Sequence, residues 1–573
     1  MTKGRLVFIL VAVFAVLLLA TAASFFLLDF NRPPSIAPAS YLEIVLEGPL
    51  VEFSGGNPLA SFLGVRPLSV HDIWTGLRKA RVDDRIAGVL LRLGPLACDW
   101  AKCAEVRDEV AAFRASGKKA YAYIEEAASF DKEYYLATAC DKIFLHPLGW
   151  FGIAGIGGDV PFLKTALDKL GIEAQIVHVE QYKTAYNMFT ERGFTPAHRE
   201  MMESLISDEF AYYIKTVAAA RHKSEADVRA LIDEAFFQGD RAVASGLVDG
   251  LLFDDQVRAL FGRGAGRVPL NVYTRIDPAS LGLGTGRKVA LIYAAGAIHG
   301  GESAYQSMGA DTVVRSLRAA REDRSVAAVV FRVDSPGGSA VASDSIWREV
   351  MLCREKKPFV VSMSDVAGSG GYWISMAAHK IVAQPQTLTG SIGVLSGKIS
   401  LEKLMAKVGI ATEKVGIGQR LGVFSPFRSM TAEETQLLKK QILWIYDRFL
   451  AKVAESRGLS KETVDGIGKG RVWTGGQAKN LHLVDELGGL SRAIELAKEL
   501  AGIPTSEDVR FVVWPRRESL FRTLFRPNES RFPGALSKEV RAASEWAARL
   551  NEDRVWAVMP ILPGLGGTTI SSF

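Results

Sequence analysis

Ser369 stands in "VAGSGGYWIS", with Gly368, Gly370 and Gly371 around it and an apolar helical run behind it. Glycines at such a turn let the backbone approach a substrate closely and take dihedrals closed to other residues. A hydroxyl held there is a candidate nucleophile, and the backbone N–H that follows it can face a developing oxyanion. A second glycine turn, "DSPGGS" at Asp334 to Ser339, follows the strand-like run "AAVVFRV". Strand ends that bring two such loops to one edge of a parallel sheet are where sites form in α/β folds. The ordinary partner of such a serine is a histidine with an acid behind it. The chain has eight histidines, none in a triad motif, and Ser369 is not in a G-x-S-x-G elbow. His379, on the helix after Ser369, reads as a surface position. A lysine is the alternative base, and it must be buried to lose its proton.

The chain's self-similarity points to the lysine. "KKAYAYIEEAASFDKEYYLATACDKIFLHPLG" from Lys118 aligns without a gap on "KKPFVVSMSDVAGSGGYWISMAAHKIVAQPQT" from Lys356. The match extends upstream, "AGVLLRL" from Ala87 against "AAVVFRV" from Ala327, and downstream, "SGLVDGL" from Ser245 against "LHLVDEL" from Leu481. Opposite Ser369 stands Asp131, and the nearby Ser129 has no glycines after it. Conversely, "VEQYKTA" at Val179 to Ala185 offers Lys183 on a post-strand loop where the aligned "IGQRLGV" has Leu421. The second repeat has no lysine from Val415 to Leu438, and Arg420 and Arg428 cannot act as bases at neutral pH. Each repeat keeps one half of a Ser/Lys pair, so the site must lie at their junction.

Within each repeat, β-branched runs such as "VAAVVFRV" alternate with stretches of helical period such as "DTVVRSLRAARE". That alternation predicts crossover units and a mostly parallel sheet buried on both faces. "TAEETQLLKKQILWIYDRFLAKVAESRG" predicts an amphipathic helix with a threonine cap, read as an arm that packs on a neighbour. The expected fold class is α/β, two tandem repeats with helical arms preceded by one transmembrane helix. The expected divisions are a stub and anchor at 1–28, a proline-stiffened linker at 29–40, and an N-terminal repeat at 41–261. A Gly- and Pro-rich linker at 262–287, a C-terminal repeat at 288–502 and a basic, aromatic extension at 503–573 follow.

These motifs together resemble the long, tandem-repeat form of signal peptide peptidase A, or protease IV, a family of membrane-anchored Ser/Lys peptidases. The resemblance covers nearly the whole chain and rests on the N-terminal apolar run, both repeats, "DSPGG", "SGGYWIS", "TLTGSIG" at Thr387 to Gly393 and "YKTA". It implies a crotonase-like or Clp-protease-like core and a bowl-shaped homo-oligomer, taken here as a tetramer. By residue it implies Ser369 as nucleophile and Lys183 as general base. Gly370, with Gly337 or Gly338, would supply oxyanion N–H groups, and Ser391 would hydrogen-bond the lysine amine. The implied substrates are apolar peptides such as cleaved signal peptides. Gly368 departs from the alanine expected before the nucleophile, and "YNMFTERGF" after Lys183 does not match the family closely.

Composition sets the context. The 573 residues are 48% hydrophobic and 23% charged with a formal charge of +6, a mild excess that argues against nucleic acid as the main partner. The run from Leu6 to Leu28 is uncharged, and at about 1.5 Å per residue it is long enough for a ~30 Å hydrocarbon core. Lys3 and Arg5 before it place the N-terminus in the cytoplasm and everything after Asp29 on the far side, and the resemblance implies that the membrane is the bacterial inner membrane. A cleaved signal peptide, with Ala20-Thr21-Ala22 as the cleavage site, is the competing reading. Four cysteines without paired spacing give no metal site, and no cofactor is called for. Two rivals remain: an acyl-CoA enzyme on a crotonase-like scaffold, which needs neither Ser369 nor Lys183, and a non-catalytic membrane scaffold.

Overall fold

The β-branched runs become the central strands of two parallel sheets in the computed structural model, which describes residues 34–54, 67–127, 130–304, 307–515 and 556–558. In the first unit β1 (Ser40–Val51), β2 (Ile86–Ala97), β3 (Lys119–Ala127) and β4 (Lys142–Gly152) pair in that order, all parallel. Helices α1 (Val70–Val82), α2 (Trp100–Arg114) and α3 (Asp131–Ala137) make the crossovers. Leu42, Ile44, Leu46, Val89, Leu90 and Leu91 are fully buried, as strands covered on both faces require. β5 (Glu173–His178) and the long helix α4 (Pro196–Arg221) follow.

The unit does not close where composition suggests. β6 (Arg267–Pro269) pairs parallel with β1, and Leu270, Tyr273 and Ile276 beyond it are buried in the first core. A three-residue edge strand set among prolines and glycines carries no periodicity, so this part of the 262–287 segment reads as linker in sequence.

The second unit repeats the plan with β7 (Lys288–Ala295), β8 (Ala297–His299), α5 (Ala310–Glu322), β9 (Val326–Ser335), β10 (Gly337–Ser339), α6 (Ala340–Arg354), β11 (Phe359–Gly368), α7 (Gly370–Ser375), β12 (Leu388–Gly390) and β13 (Leu395–Ser400). β7, β9, β11 and β12 pair in order, all parallel. The helix over 432–457, α8 (Ala432–Arg457), starts on a reciprocal cap between Thr431 and Glu434 and ends on a left-handed Gly458. Its inner face, Ile442, Tyr446, Phe449, Leu450 and Val453, packs into the core of its own unit, while Leu437, Leu443 and Trp444 stay exposed. After α9 (Leu490–Leu500), β14 (Arg510–Trp514) pairs parallel with β7 just as β6 does with β1. The second sheet therefore runs past Gly502 into the segment read as an extension.

A third sheet joins the units. β5 of the first lies antiparallel to β13 of the second, with His178 opposite Leu395 and Glu173 opposite Ser400. β15 (Trp556–Val558), near the C-terminus, lies antiparallel between β10 and β13, with Ala557 opposite Gly338 and Trp556 opposite Leu395. The architecture is α/β with tandem repeats. Among the described residues no helix is long and apolar enough to cross a membrane, and the Leu6–Leu28 run lies outside them, as does most of the basic, aromatic extension. All four cysteines are buried free thiols, Cys98 Sγ lying 3.5 Å from Cys103 Sγ.

Candidate active site

The β5–β13 pairing carries Lys183 into the second unit. The Val179 N–H donates to Val394 O at 2.9 Å and the Tyr182 N–H to Lys469 O at 3.1 Å, so the loop after β5 is pinned at two points to the second unit. Gly470, at φ +83°, lets this loop through: a Cβ there would sit 2.5 Å from the Lys183 nitrogen. The lysine stem runs past Gly393, where a Cβ would lie 3.1 Å from Cδ. Lys183 is 1% exposed and Ser369 fully buried. Nζ lies 2.7 Å from Ser369 Oγ, and 3.0 Å from both the carbonyl oxygen and the Oγ of Ser391. Burial alone holds this amine well below the ordinary lysine value.

Ser369 sits on a strained turn, φ 55° and ψ −110°, at the junction of β11 and α7. Such a conformation costs about 1–3 kcal/mol and persists only where neighbours over-determine it. Here the Ser369 N–H donates to Gly390 O at 2.8 Å and its carbonyl accepts from the Trp373 N–H at 2.9 Å. The first N–H groups of α7 have no intrahelical partner, and Gly370 leads them. β10 comes close alongside: a Cβ on Gly370 would lie 3.1 Å from the Gly338 nitrogen, and one on Gly338 would lie 2.0 Å from Ile298 O. The Gly337 N–H is already engaged, donating to Ser335 Oγ at 3.2 Å.

The structure thus brings Ser369, Lys183 and Ser391 into contact, with Gly370 and Gly338 beside them and Gly337 adjacent but occupied. His379 is exposed, its Nδ1 accepting from the Phe359 N–H at 3.1 Å. At the equivalent place in the first unit, Asp131 accepts the N–H groups of Ala154 and Gly155 at 3.1 Å each, and Glu133 accepts that of Leu96 at 2.7 Å.

Sequence reasoning missed the charges beneath the site. Arg332 of β9, 1% exposed, donates to Glu52 at 2.7 Å, Glu105 at 2.6 Å and Ser362 Oγ at 2.8 Å, so both carboxylates come from the first unit. Burial would raise the Glu52 carboxyl, but Arg332 and Lys102 hold it below the usual value; burial pushes Glu105 up to about 7. A lone arginine inside the apolar run "AAVVFRV" was the available signal, since buried charges must be paired.

Two parallel units meeting over a buried serine on a strained turn, with glycine N–H groups beside it, define a serine-type hydrolase assembled from tandem repeats. Residues 112–265 and 352–504 match the model described as peptidase family S49, one match in each repeat. The chain belongs to that family and is a serine peptidase. It is 35% identical over 459 residues to the chloroplastic serine protease SPPA of Arabidopsis thaliana, covering 78% of this chain and 68% of that protein. Protease 4 of Salmonella typhi is 35% identical over 448 residues, 76% of this chain and 72% of that one. Protease 4 of Haemophilus influenzae is 31% identical over 454 residues, 76% and 73% respectively.

Proposed function

We propose that Ser369 is the nucleophile and Lys183 the general base of a membrane-anchored endopeptidase that degrades apolar peptides, cleaved signal peptides among them. The observation that carries this reading is an amine 2.7 Å from the Ser369 hydroxyl in a buried site that depresses its proton affinity. A neutral amine has two hydrogens and one lone pair, and Nζ has three neighbours to match. The lone pair accepts from the Ser369 hydroxyl, and the hydrogens go to the carbonyl and Oγ of Ser391, which orients the base. As Oγ bonds to the scissile carbonyl carbon, its proton moves to Nζ. The oxyanion is met by the N–H groups of Gly370 and of Gly337 or Gly338, which stand beside it on β10. Collapse breaks the C–N bond as Nζ returns the proton to the leaving amine, and a water then releases the acyl group by the same transfers.

Substrates bind as extended strands along β10 and β13. The chain's own Trp556–Val558 lies paired in this groove, which supports the mode and makes the tail a competitor. A chain ending at Leu550 is expected to show a several-fold lower KM at unchanged kcat, because a tethered strand competes at an effective concentration on the order of millimolar. Equal KM values for the two chains would remove the tail from the groove.

Leu6–Leu28 is read as the single span, with the N-terminus cytoplasmic and the catalytic body beyond the bacterial inner membrane. The divisions are those given above, with the units carried on to β6 and β14. A homotetramer agrees with the outward apolar residues Leu437, Leu443 and Trp444 on α8. The test is hydrolysis of apolar peptide esters and a signal peptide by the detergent-solubilised protein beside a folded Ser369→Ala variant. Activity confined to the parent is expected; equal cleavage by both overturns the nucleophile assignment.

A further inference from the structure

Lys102 on α2 of the first unit is 7% exposed. Its Nζ lies 2.7 Å from Asp334 Oδ2, 3.0 Å from Asp365 Oδ2 and 3.8 Å from Glu52 Oε1. Both aspartates belong to the second unit, and each stands just ahead of one of the two loops at the site. Asp334 opens "DSPGG", which ends in the β10 glycines, and Asp365 precedes the turn that carries Ser369. The Asp365 carboxylate also accepts the N–H groups of Asp99 at 3.0 Å and Lys102 at 2.8 Å. It thereby caps α2, whose own N-cap residue Asp99 makes no side-chain capping bond. Asp334 Oδ1 accepts the Val366 N–H at 3.1 Å, tying the end of β9 to β11 where their register breaks.

The repeat alignment sets this cluster apart from ordinary core charge pairing. Opposite Asp334 stands Gly94, opposite Asp365 stands Ala127, and opposite Lys102 stands Ala342. The cation occurs only in the half without the nucleophile, and its two anions only in the half with it. The cluster is asymmetric in the same sense as Ser369 and Lys183.

We propose that Lys102 is a positioning residue of the peptidase site, a cation lent by the first unit that fixes the oxyanion loop and the nucleophile turn at their working separation. The inference rests on the reading of Ser369 as nucleophile. Oxyanion donors act only at about 2.7–3.1 Å from the charge they meet, and a displacement of about 1 Å can lower a rate on the order of 100-fold. Without the ammonium, the buried Asp365 carboxylate and the partly buried Asp334 carboxylate are left to repel each other, and that repulsion acts directly on the two loops.

The test is steady-state kinetics of full-length Lys102→Met and Lys102→Arg in detergent, with reactive serines counted by an organophosphonate that labels Ser369. Lys102→Met is expected to lose about 10- to 100-fold in kcat per titrated site with KM within about 2-fold, and Lys102→Arg to recover most of the loss. A kcat per titrated site within 2-fold of the parent overturns the proposal, because then only the folded fraction has changed. If Lys102→Met does not fold, the isosteric Asp365→Asn is measured instead, with the same expectation and the same overturning result. Activity surviving in Ser369→Ala, run alongside, would instead remove the nucleophile reading itself.

Discussion

Ser369→Ala and Lys183→Met are each expected to lower kcat on the order of 10⁴- to 10⁶-fold, and the double variant to lose no more than either alone. Groups that act as one unit are non-additive in this way, and the residual rate comes from the oxyanion donors and binding. The two variants differ in stability. Unfolded, a lysine stays protonated up to about pH 10.4, whereas burial lowers the folded value of Lys183 well below the ordinary one. Between those two values the unfolded chain binds one more proton than the native one, so this residue makes native stability rise with pH across that window and is unfavourable below it. Methionine fills similar space and does not titrate. Lys183→Met is therefore expected to melt higher than the parent at pH 7, by roughly 2–4 °C for each kcal/mol recovered, and the gap should narrow towards pH 10. Calorimetry at both pH values reads it. A variant that melts lower at pH 7 would mean that Lys183 is held as a charged structural residue, and the base would have to be sought elsewhere. In the parent, kcat/KM should rise with pH through the lowered native value and level off well below pH 10.

What could be read in advance divides along physical lines. The alternation of apolar runs and helical periods exposed both parallel units, because strands buried on two faces must be apolar throughout, as Val89 to Leu91 and Val329 to Phe331 are. Ser369 and Lys183 were legible because duplication gave each position an internal control: a loss in one half marks what the other half retains. The junction itself was not legible. β5 pairs with β13 of the other repeat, and no local property of "EAQIVH" or "LSGKIS" specifies that partner. β6 and β14 escaped because edge strands of three and five residues among prolines leave no period to detect. No local signal marks Gly393 and Gly470 as the glycines against which Lys183 passes, because only the docked units bring it there. The same internal control could have found Lys102, since Asp334, Asp365 and Lys102 all face uncharged partners in the alignment. It could not have found Glu52, whose strand end meets Arg332 only once the two sheets are docked.

Arg332→Met is expected to be the most destabilising single change at the junction. The guanidinium sits between Glu52 and Glu105, and both carboxylates are about as buried as the arginine. Taking away one member of a buried ion cluster leaves the others without compensation, at about 3–5 kcal/mol. Ser364 Oγ still donates to Glu52, and Lys102 remains at 3.8 Å, but neither replaces a paired guanidinium. The deficit should depend on pH with a definite sign. In the parent, Glu52 is held below its usual value by Arg332 and Lys102 against the opposing effect of burial, so its stabilisation is present above the unfolded carboxyl value and fades as pH falls. In the variant burial dominates, the native carboxyl value moves above the unfolded one, and stability falls as pH rises between the two. The parent's trend is nearly complete by about pH 5, so from pH 5 to pH 8 the fall in the variant is what widens the gap between the proteins. Denaturant unfolding at those two pH values reads it, and a gap that is equal or larger at pH 5 would show that Arg332 acts through packing and not through its charge. Because Glu52 and Glu105 are residues of the first unit and Arg332 of the second, the lost stability should appear as a loss of docking between the repeats. Lys183 would then part from Ser369 before either unit unfolds, so peptidase activity in the variant should disappear at a lower denaturant concentration than the helical signal does.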